Sequence, residues 1–251
     1  MREQDLSELV AEKLKWLRLP GMARALPSLL ERANADNHTT LETLSRLADE
    51  EKSSRRQSAV RKRVAEARFP EVSTVDDFDF DFSPCRKKLK TRYLALHDLA
   101  FLSRGTNPLF IGTPGTGKTF LARALAYKAC TDTRRVVFTP TTKMLNELAG
   151  AEASGRFERV FRRYVRAELL VLDDFACLEM DGGQARLAFQ VISERYDYRR
   201  STAITTNRPF AEWTKVFPDA LNAQVVAERL TERSEHFILD SRSYRTRPKT
   251  P

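Results

Sequence analysis

Apolar positions in the first third of the chain recur at helical spacing. Leu6, Leu9, Val10, Leu14 and Leu17 share one stripe, and Pro20-Gly21 ends it. Met22, Ala25, Leu26, Leu29 and Leu30 predict a second helix that stops between Asn34 and His38. Thr39-x-x-Glu42 then reads as a capping box opening a third helix, which carries Leu41, Leu44 and Leu47. Beyond Leu47 the stripe disappears. Lys52, Arg55, Arg56, Arg61, Lys62, Arg63 and Arg68 make the second half strongly basic. A helix that is polar all round is either a solvated spacer or a surface for a charged partner, here DNA or protein. Residues 1–68 are therefore expected to form a helical domain.

Residues 69–85 change character. Asp76-Asp77-Phe78-Asp79-Phe80-Asp81-Phe82 is acidic and studded with aromatic rings, and it reads as a linker. Those rings either dock as ordinary hydrophobes or pack against a base. Past the linker the pattern alternates. Short apolar runs at Leu109–Gly112, Arg135–Thr139, Leu169–Asp173, Ala203–Thr206 and Phe237–Leu239 predict strands. Amphipathic stretches at 118–130, 142–150, 155–166, 184–199 and 220–234 predict helices. This alternation predicts an α/β domain over 86–245, with a parallel sheet covered on both faces. Residues 246–251 read as a frayed tail.

Between the first predicted strand and its helix lies Gly112-Thr113-Pro114-Gly115-Thr116-Gly117-Lys118-Thr119, followed by Phe120. Glycines let such a loop wrap phosphates with its backbone N–H groups. Lys118 would reach the β- and γ-phosphates, and the Thr119 hydroxyl would ligate Mg²⁺. About 55 residues later, Leu169-Leu170-Val171-Leu172 ends in Asp173 and Asp174. A phosphate-loop ATPase needs this pair: Asp173 for the Mg²⁺ shell and Asp174 to polarise the attacking water. The strand before Asn207 is polar at its end, which suits a side chain that orients water beside the γ-phosphate; an Asn turn before Pro209 is the plainer alternative. Arg229, with Arg233 in reserve, precedes the last strand, where an arginine can serve a neighbouring subunit's nucleotide as a finger.

Charge adds a partner. The 251 residues hold 43 Lys and Arg against 34 Asp and Glu, a net +9, which points to nucleic acid. The candidate contacts are Lys143, Arg156, Arg159, Arg162, Arg163 and Arg166, with phosphate hydrogen bonds from Thr139, Thr141 and Thr142. In 155–166 the apolar residues Phe157, Val160, Phe161 and Tyr164 form one stripe. The arginines then share the outer face, which either lines a channel or is merely solvated. No zinc or helix-turn-helix signature is present, so backbone contacts are expected rather than base reading. Cys85, Cys130 and Cys177 have no metal-ligand spacing and read as reduced thiols. No apolar run is long enough for a membrane span or a signal peptide, so a cytoplasmic protein without a membrane partner is expected.

Taken in order, these motifs resemble those of the AAA+ ATPases. Ala67-Arg68-Phe69-Pro70, Asp77-Phe78-Asp79-Phe80, Val171-Leu172-Asp173-Asp174-Phe175, Thr205-Thr206-Asn207-Arg208-Pro209 and Ser243-Tyr244-Arg245 are similar to the IstB-like transposition helpers. That resemblance covers nearly the whole chain. It implies a five-stranded parallel AAA+ core with a helical N-terminal domain and little or no C-terminal lid. It also implies ATP and Mg²⁺, a bacterial cytoplasmic location, self-assembly on duplex DNA, and stimulation of a cognate transposase. A DnaC-type helicase loader, or a DNA clamp that uses ATP only as a structural ligand, are the alternatives. Two departures stand out. Asp174 occupies a place where most AAA+ proteins have Glu, and residues 240–251 are too few for the usual helical lid, so a lid-borne sensor arginine is not expected and Arg242 or Arg245 is the candidate substitute.

Overall fold

The computed structural model describes residues 3–244. The chain divides into two compact units, one ending at Lys62 and the other beginning at Arg63.

In the first unit, α1 (Glu3–Trp16) and α2 (Pro20–Ala35) precede the long α3 (Thr40–Ala67), whose last residues belong to the second unit. Pro20 opens α2 rather than only ending α1, because the first turn of a helix has no use for its missing N–H. The expected capping box is present: Glu42 N donates to Thr39 Oγ1 at 3.2 Å, and Thr39 N donates to Glu42 Oε2 at 2.7 Å. Leu26, Leu29 and Leu47 are buried, with Val10, Leu14 and Met22 against them. Glu51 pins this small core. Its carboxylate accepts from Gly21 N at 2.7 Å and Met22 N at 3.2 Å, two donors that the start of α2 leaves free. The hydrogen bond from Arg55 holds the Glu51 carboxyl below its usual range.

The second unit continues with α4 (Pro84–Ala95), α5 (Ala100–Arg104), β1 (Asn107–Gly112) and α6 (Lys118–Thr131). It then runs through β2 (Val136–Pro140), α7 (Thr141–Ala153), α8 (Phe157–Val165), β3 (Leu169–Asp173) and α9 (Gly182–Asp197). It closes with β4 (Ser201–Thr206), α10 (Ala220–Thr231) and β5 (Ser234–Leu239). All strand pairs are parallel, in the order β2-β3-β4-β1-β5. Pairing of Ile111 with Thr206 and of Gly112 with Leu239 brings the carboxyl ends of β4, β1 and β5 level. Ligands bind at that edge of open α/β sheets.

Alternation along the strands feeds two cores. Leu170 and Leu172 join Met144, Leu148, Val191 and Val226 on one face; Leu169 and Val171 join Leu121, Leu125, Tyr93 and Phe110 on the other. The stretch read as a linker packs inside this unit. Phe78 and Phe80 are buried, Phe69 rests against Tyr127 and Phe138, and Val75–Asp77 forms a single 3₁₀ turn. Its aromatic residues find enough apolar surface on α4 and α6 to outweigh the solvation of the aspartates between them.

A charged residue of α9 is buried beside the first of these cores. Arg195 is fully buried and donates from Nη1 to the carbonyls of Tyr164, Val165 and Ala167 at 2.7, 3.1 and 2.9 Å. Its Nε donates to Thr202 Oγ1 at 3.0 Å, and Nη2 to the Ser201 carbonyl. Burial pulls its pKa down to about 9, so it stays charged at neutral pH. It joins the end of α8 to the start of β4.

Candidate nucleotide site

The loop from Gly112 to Gly117 connects β1 to α6. Gly112, at φ +156, lies so close to β5 that a Cβ would come within 2.0 Å of the Leu239 carbonyl oxygen. Lys118 starts α6 with its side chain folded into the loop, donating from Nζ to the Thr113 carbonyl at 2.9 Å. Thr116 Oγ1 donates to the same oxygen at 2.8 Å. The loop borders a cavity of about 280 Å³ that Phe78, Arg86, Thr119, Phe120 and Tyr244 also line. A larger cavity of about 960 Å³ lies along β5 and α4 and includes no phosphate-loop residue.

At the end of β3 the acidic pair separates into two roles. Asp173 Oδ1 accepts from Thr119 Oγ1 at 2.8 Å and from Thr205 Oγ1 at 2.6 Å. The Thr205 hydroxyl in turn accepts from Asp174 N at 2.9 Å, and Thr141 Oγ1 donates to the Asp173 carbonyl at 3.0 Å. Asp173 is nearly buried, whereas Asp174 is exposed in the left-handed region at φ 53, which Asp tolerates better than most residues. Asn207 follows β4 and is exposed. A hydroxyl and a carboxylate in contact, with room left for phosphate oxygens and water, suit Mg²⁺, which prefers few protein ligands. Among the described residues, no cluster of three or more His, Cys, Asp or Glu forms a separate metal site.

Two residues of the site escaped the sequence reading. Thr205 holds both aspartates, and nothing in the sequence singles it out among the neighbouring hydroxyls of Ser201, Thr202 and Thr206. Cys177 is half-buried beside Asn207, Thr206, Asp174 and Lys118; burial pushes its thiol pKa up, and the Asp174 charge adds to that. Valine at Thr205 keeps the shape but removes the hydroxyl. Thr205→Val is expected to lower turnover about 10- to 100-fold and to raise the Mg²⁺ needed for half-maximal rate, as checked by ATPase assays across Mg²⁺ concentrations.

Arg229 and Arg233 lie at the other end of the sheet. The Leu230 and Arg233 carbonyls accept from Asn107, the first residue of β1, at 3.0 and 2.7 Å. The rise from Asn107 to Gly112 along the 6 residues of β1, at roughly 3.3 Å per step, places both arginines about 16 Å from the start of their own phosphate loop. Arg233 donates to the Tyr196 carbonyl at 3.2 Å. Arg229 packs over the Phe189 and Tyr196 rings, at 5.2 and 5.6 Å, and its Nη1 is buried with no acceptor among the described residues.

The candidate DNA contacts differ in exposure. Lys143, Arg156, Arg159, Arg166 and Thr142 are exposed, as is Arg162, which pairs with Glu158. Arg163 departs from the expected outer row: it is half-buried, bonded to Glu147 and Tyr164, so its charge is spent within the fold. Thr139 and Thr141 are also corrected. Both are buried, Thr141 on the Asp173 carbonyl and Thr139 on that of Pro140. Arg242 is exposed beside the larger cavity, and Arg245 with the tail lies outside the described residues.

The family model for IstB-like ATP binding proteins matches residues 12–251. The chain belongs to the IstB-like ATP-binding family. An insertion-sequence ATP-binding protein of Sinorhizobium fredii is 34% identical over 231 residues, 92% of this chain and 77% of that protein. The IS21 ATP-binding protein of Pseudomonas aeruginosa is 34% identical over 236 residues, covering 94% and 88% of the two chains. Among solved structures, a DnaC helicase loader matches with a TM-score of 0.60 at 21% identity, over 66% of this chain and 96% of that one. AMPPCP-bound DnaA from Aquifex aeolicus matches at 0.55 and 19% identity, over 68% and 51%. These two show an AAA+ type of fold, and the family match makes this chain an IstB-like ATP-binding protein. Among the described residues, no helical lid follows β5, and no helix is long and apolar enough to cross a membrane.

Proposed function

We propose that this IstB-like protein assembles on duplex DNA when it binds ATP, hydrolyses that ATP at sites shared between subunits, and stimulates the transposase of its insertion sequence. The observation that carries the reading is Arg229. It sits about 16 Å from the start of its own phosphate loop, at the opposite end of β1, which supports a nucleotide partner on a neighbouring subunit. In this reading Lys118 and the loop amides bind the phosphates. Asp174 takes a proton from the attacking water, and Asn207 orients that water. Thr119 and Asp173 would hold Mg²⁺, which supplies charge neutralisation on the phosphates.

The exposed Lys143, Arg156, Arg159, Arg162 and Arg166 offer contacts to phosphates, which position DNA without reading its sequence. If about 6–10 phosphates are contacted per bound unit, affinity for duplex DNA with ATP is expected to fall about 10³- to 10⁵-fold between roughly 50 and 200 mM salt. Unrelated sequences should bind equally well. Filter binding across salt concentrations checks this, and strong preference for one sequence would refute backbone binding. Capture of a replicative helicase instead of the transposase in a pull-down would favour the loader.

A further inference from the structure

After β5 the chain turns back over the phosphate loop. Tyr244 N donates to the Gly115 carbonyl at 2.9 Å, and Thr113 Oγ1 donates to the Ser241 carbonyl at 3.4 Å. Ser243 lies so close that a Cβ on Gly115 would meet its Oγ at 2.1 Å. Beneath this segment sits Arg86 of α4, only 1% exposed. It donates from Nη2 to the Thr116 carbonyl at 2.8 Å and from Nη1 to the Asp79 carbonyl at 3.0 Å. Its guanidinium also lies 4.4, 4.8 and 4.7 Å from the ring centres of Phe78, Phe82 and Tyr244.

These contacts act on peptide orientation. A phosphate nest works only while successive N–H groups converge, and a peptide's carbonyl points opposite to the N–H of the next residue. Donors that hold the Gly115 and Thr116 carbonyls from outside therefore fix the amides of Thr116 and Gly117 toward the phosphate position. One of those donors is Tyr244 itself; the other is Arg86, clamped in part by the Tyr244 ring.

We propose that residues 241–244 are a nucleotide-affinity strap, latched by Tyr244 on Arg86, that preorganises the phosphate loop and is secured in turn by bound nucleotide. Tyr244 and Arg86 are positioning residues here; neither needs to touch the phosphates. The proposal rests on the ATP-binding reading of the loop and adds a second, separable element to it.

The test uses the full chain and the fluorescent analogue mant-ATP. Tyr244→Ala removes the ring and is expected to weaken mant-ATP binding about tenfold, with an unchanged thermal midpoint. Tyr244→Phe keeps the ring and the backbone donor, so binding should stay within about twofold of wild type. Trypsin gives a readout that a purely structural role would not move. ATP should slow cleavage after Arg242 in wild type and in Tyr244→Phe, and not in Tyr244→Ala. Equal mant-ATP affinity in wild type and Tyr244→Ala would overturn the strap, as would ATP-independent cleavage in wild type. Failure of wild type itself to bind mant-ATP would overturn the underlying nucleotide reading instead.

Discussion

Arg229→Ala subunits and Asp174→Asn subunits, each inactive alone, are expected to regain ATP turnover when mixed. A finger arginine is worth about 10³- to 10⁵-fold in rate, so loss of Arg229 should leave almost no hydrolysis although ATP still binds. Asp174→Asn keeps the size of the side chain and removes the base, with a comparable loss. In an equimolar mixture that assembles at random, about one interface in four joins an intact Asp174 to an intact Arg229 of the neighbour, so about a quarter of wild-type turnover should return. Steady-state ATPase measurements at fixed total protein read the result directly. No recovery by Arg229→Ala, together with recovery by Arg233→Ala in the same mixing experiment, would move the finger to Arg233. Recovery by neither would mean that each subunit completes its own site.

The second large effect concerns stability. Replacing Arg195 by Met removes a buried guanidinium and leaves four carbonyl oxygens and the Thr202 hydroxyl without their donor. The charge itself is costly to bury, as its pKa of about 9 records, so its removal returns part of that cost. Each orphaned buried acceptor costs about 1–3 kcal/mol, and five of them outweigh the return. A net loss of about 3 kcal/mol or more is expected, equivalent to a drop of roughly 6–12 °C in the melting midpoint for a unit of this size. Arg195→Lys should recover only part of it, since an ammonium cannot span carbonyls on both α8 and β4. Urea unfolding of the three proteins tests this. A Met variant as stable as wild type would show that the hydrogen bonds do not offset the burial of the charge.

Much of the fold was legible because the strands of a doubly covered parallel sheet are short apolar runs bounded by punctuation. Leu169–Asp173 was read to the residue, and β1, β4 and β5 only began earlier than expected. Their starts were hidden by polar residues: Asn107, Ser201 and Ser234 lie in strands where their side chains find hydrogen-bond partners. The helix α4 went unseen because Cys85-Arg86-Lys87-Lys88 looks like a solvated charge run, and nothing local indicates that Arg86 is buried under rings arriving from Phe78 and Tyr244. The residues of the phosphate loop and the β3 carboxylates were legible from spacing alone. Thr205, Cys177 and the inward turn of Arg163 were not, because each depends on which neighbour the tertiary fold supplies.

On the proposed role of Arg229 as a neighbour's finger, its separation from its own phosphate loop also constrains how copies of this chain associate. A subunit with a receiving end and a giving end pairs through two different patches, so its contacts are head-to-tail rather than two-fold. Such an arrangement propagates into a ring when the rotation closes and into an open helix when it does not. Any open assembly then has polarity. Its terminal subunit at one end keeps an unserved nucleotide, and the one at the other end keeps an idle arginine, so growth and loss of subunits need not occur equally at the two tips.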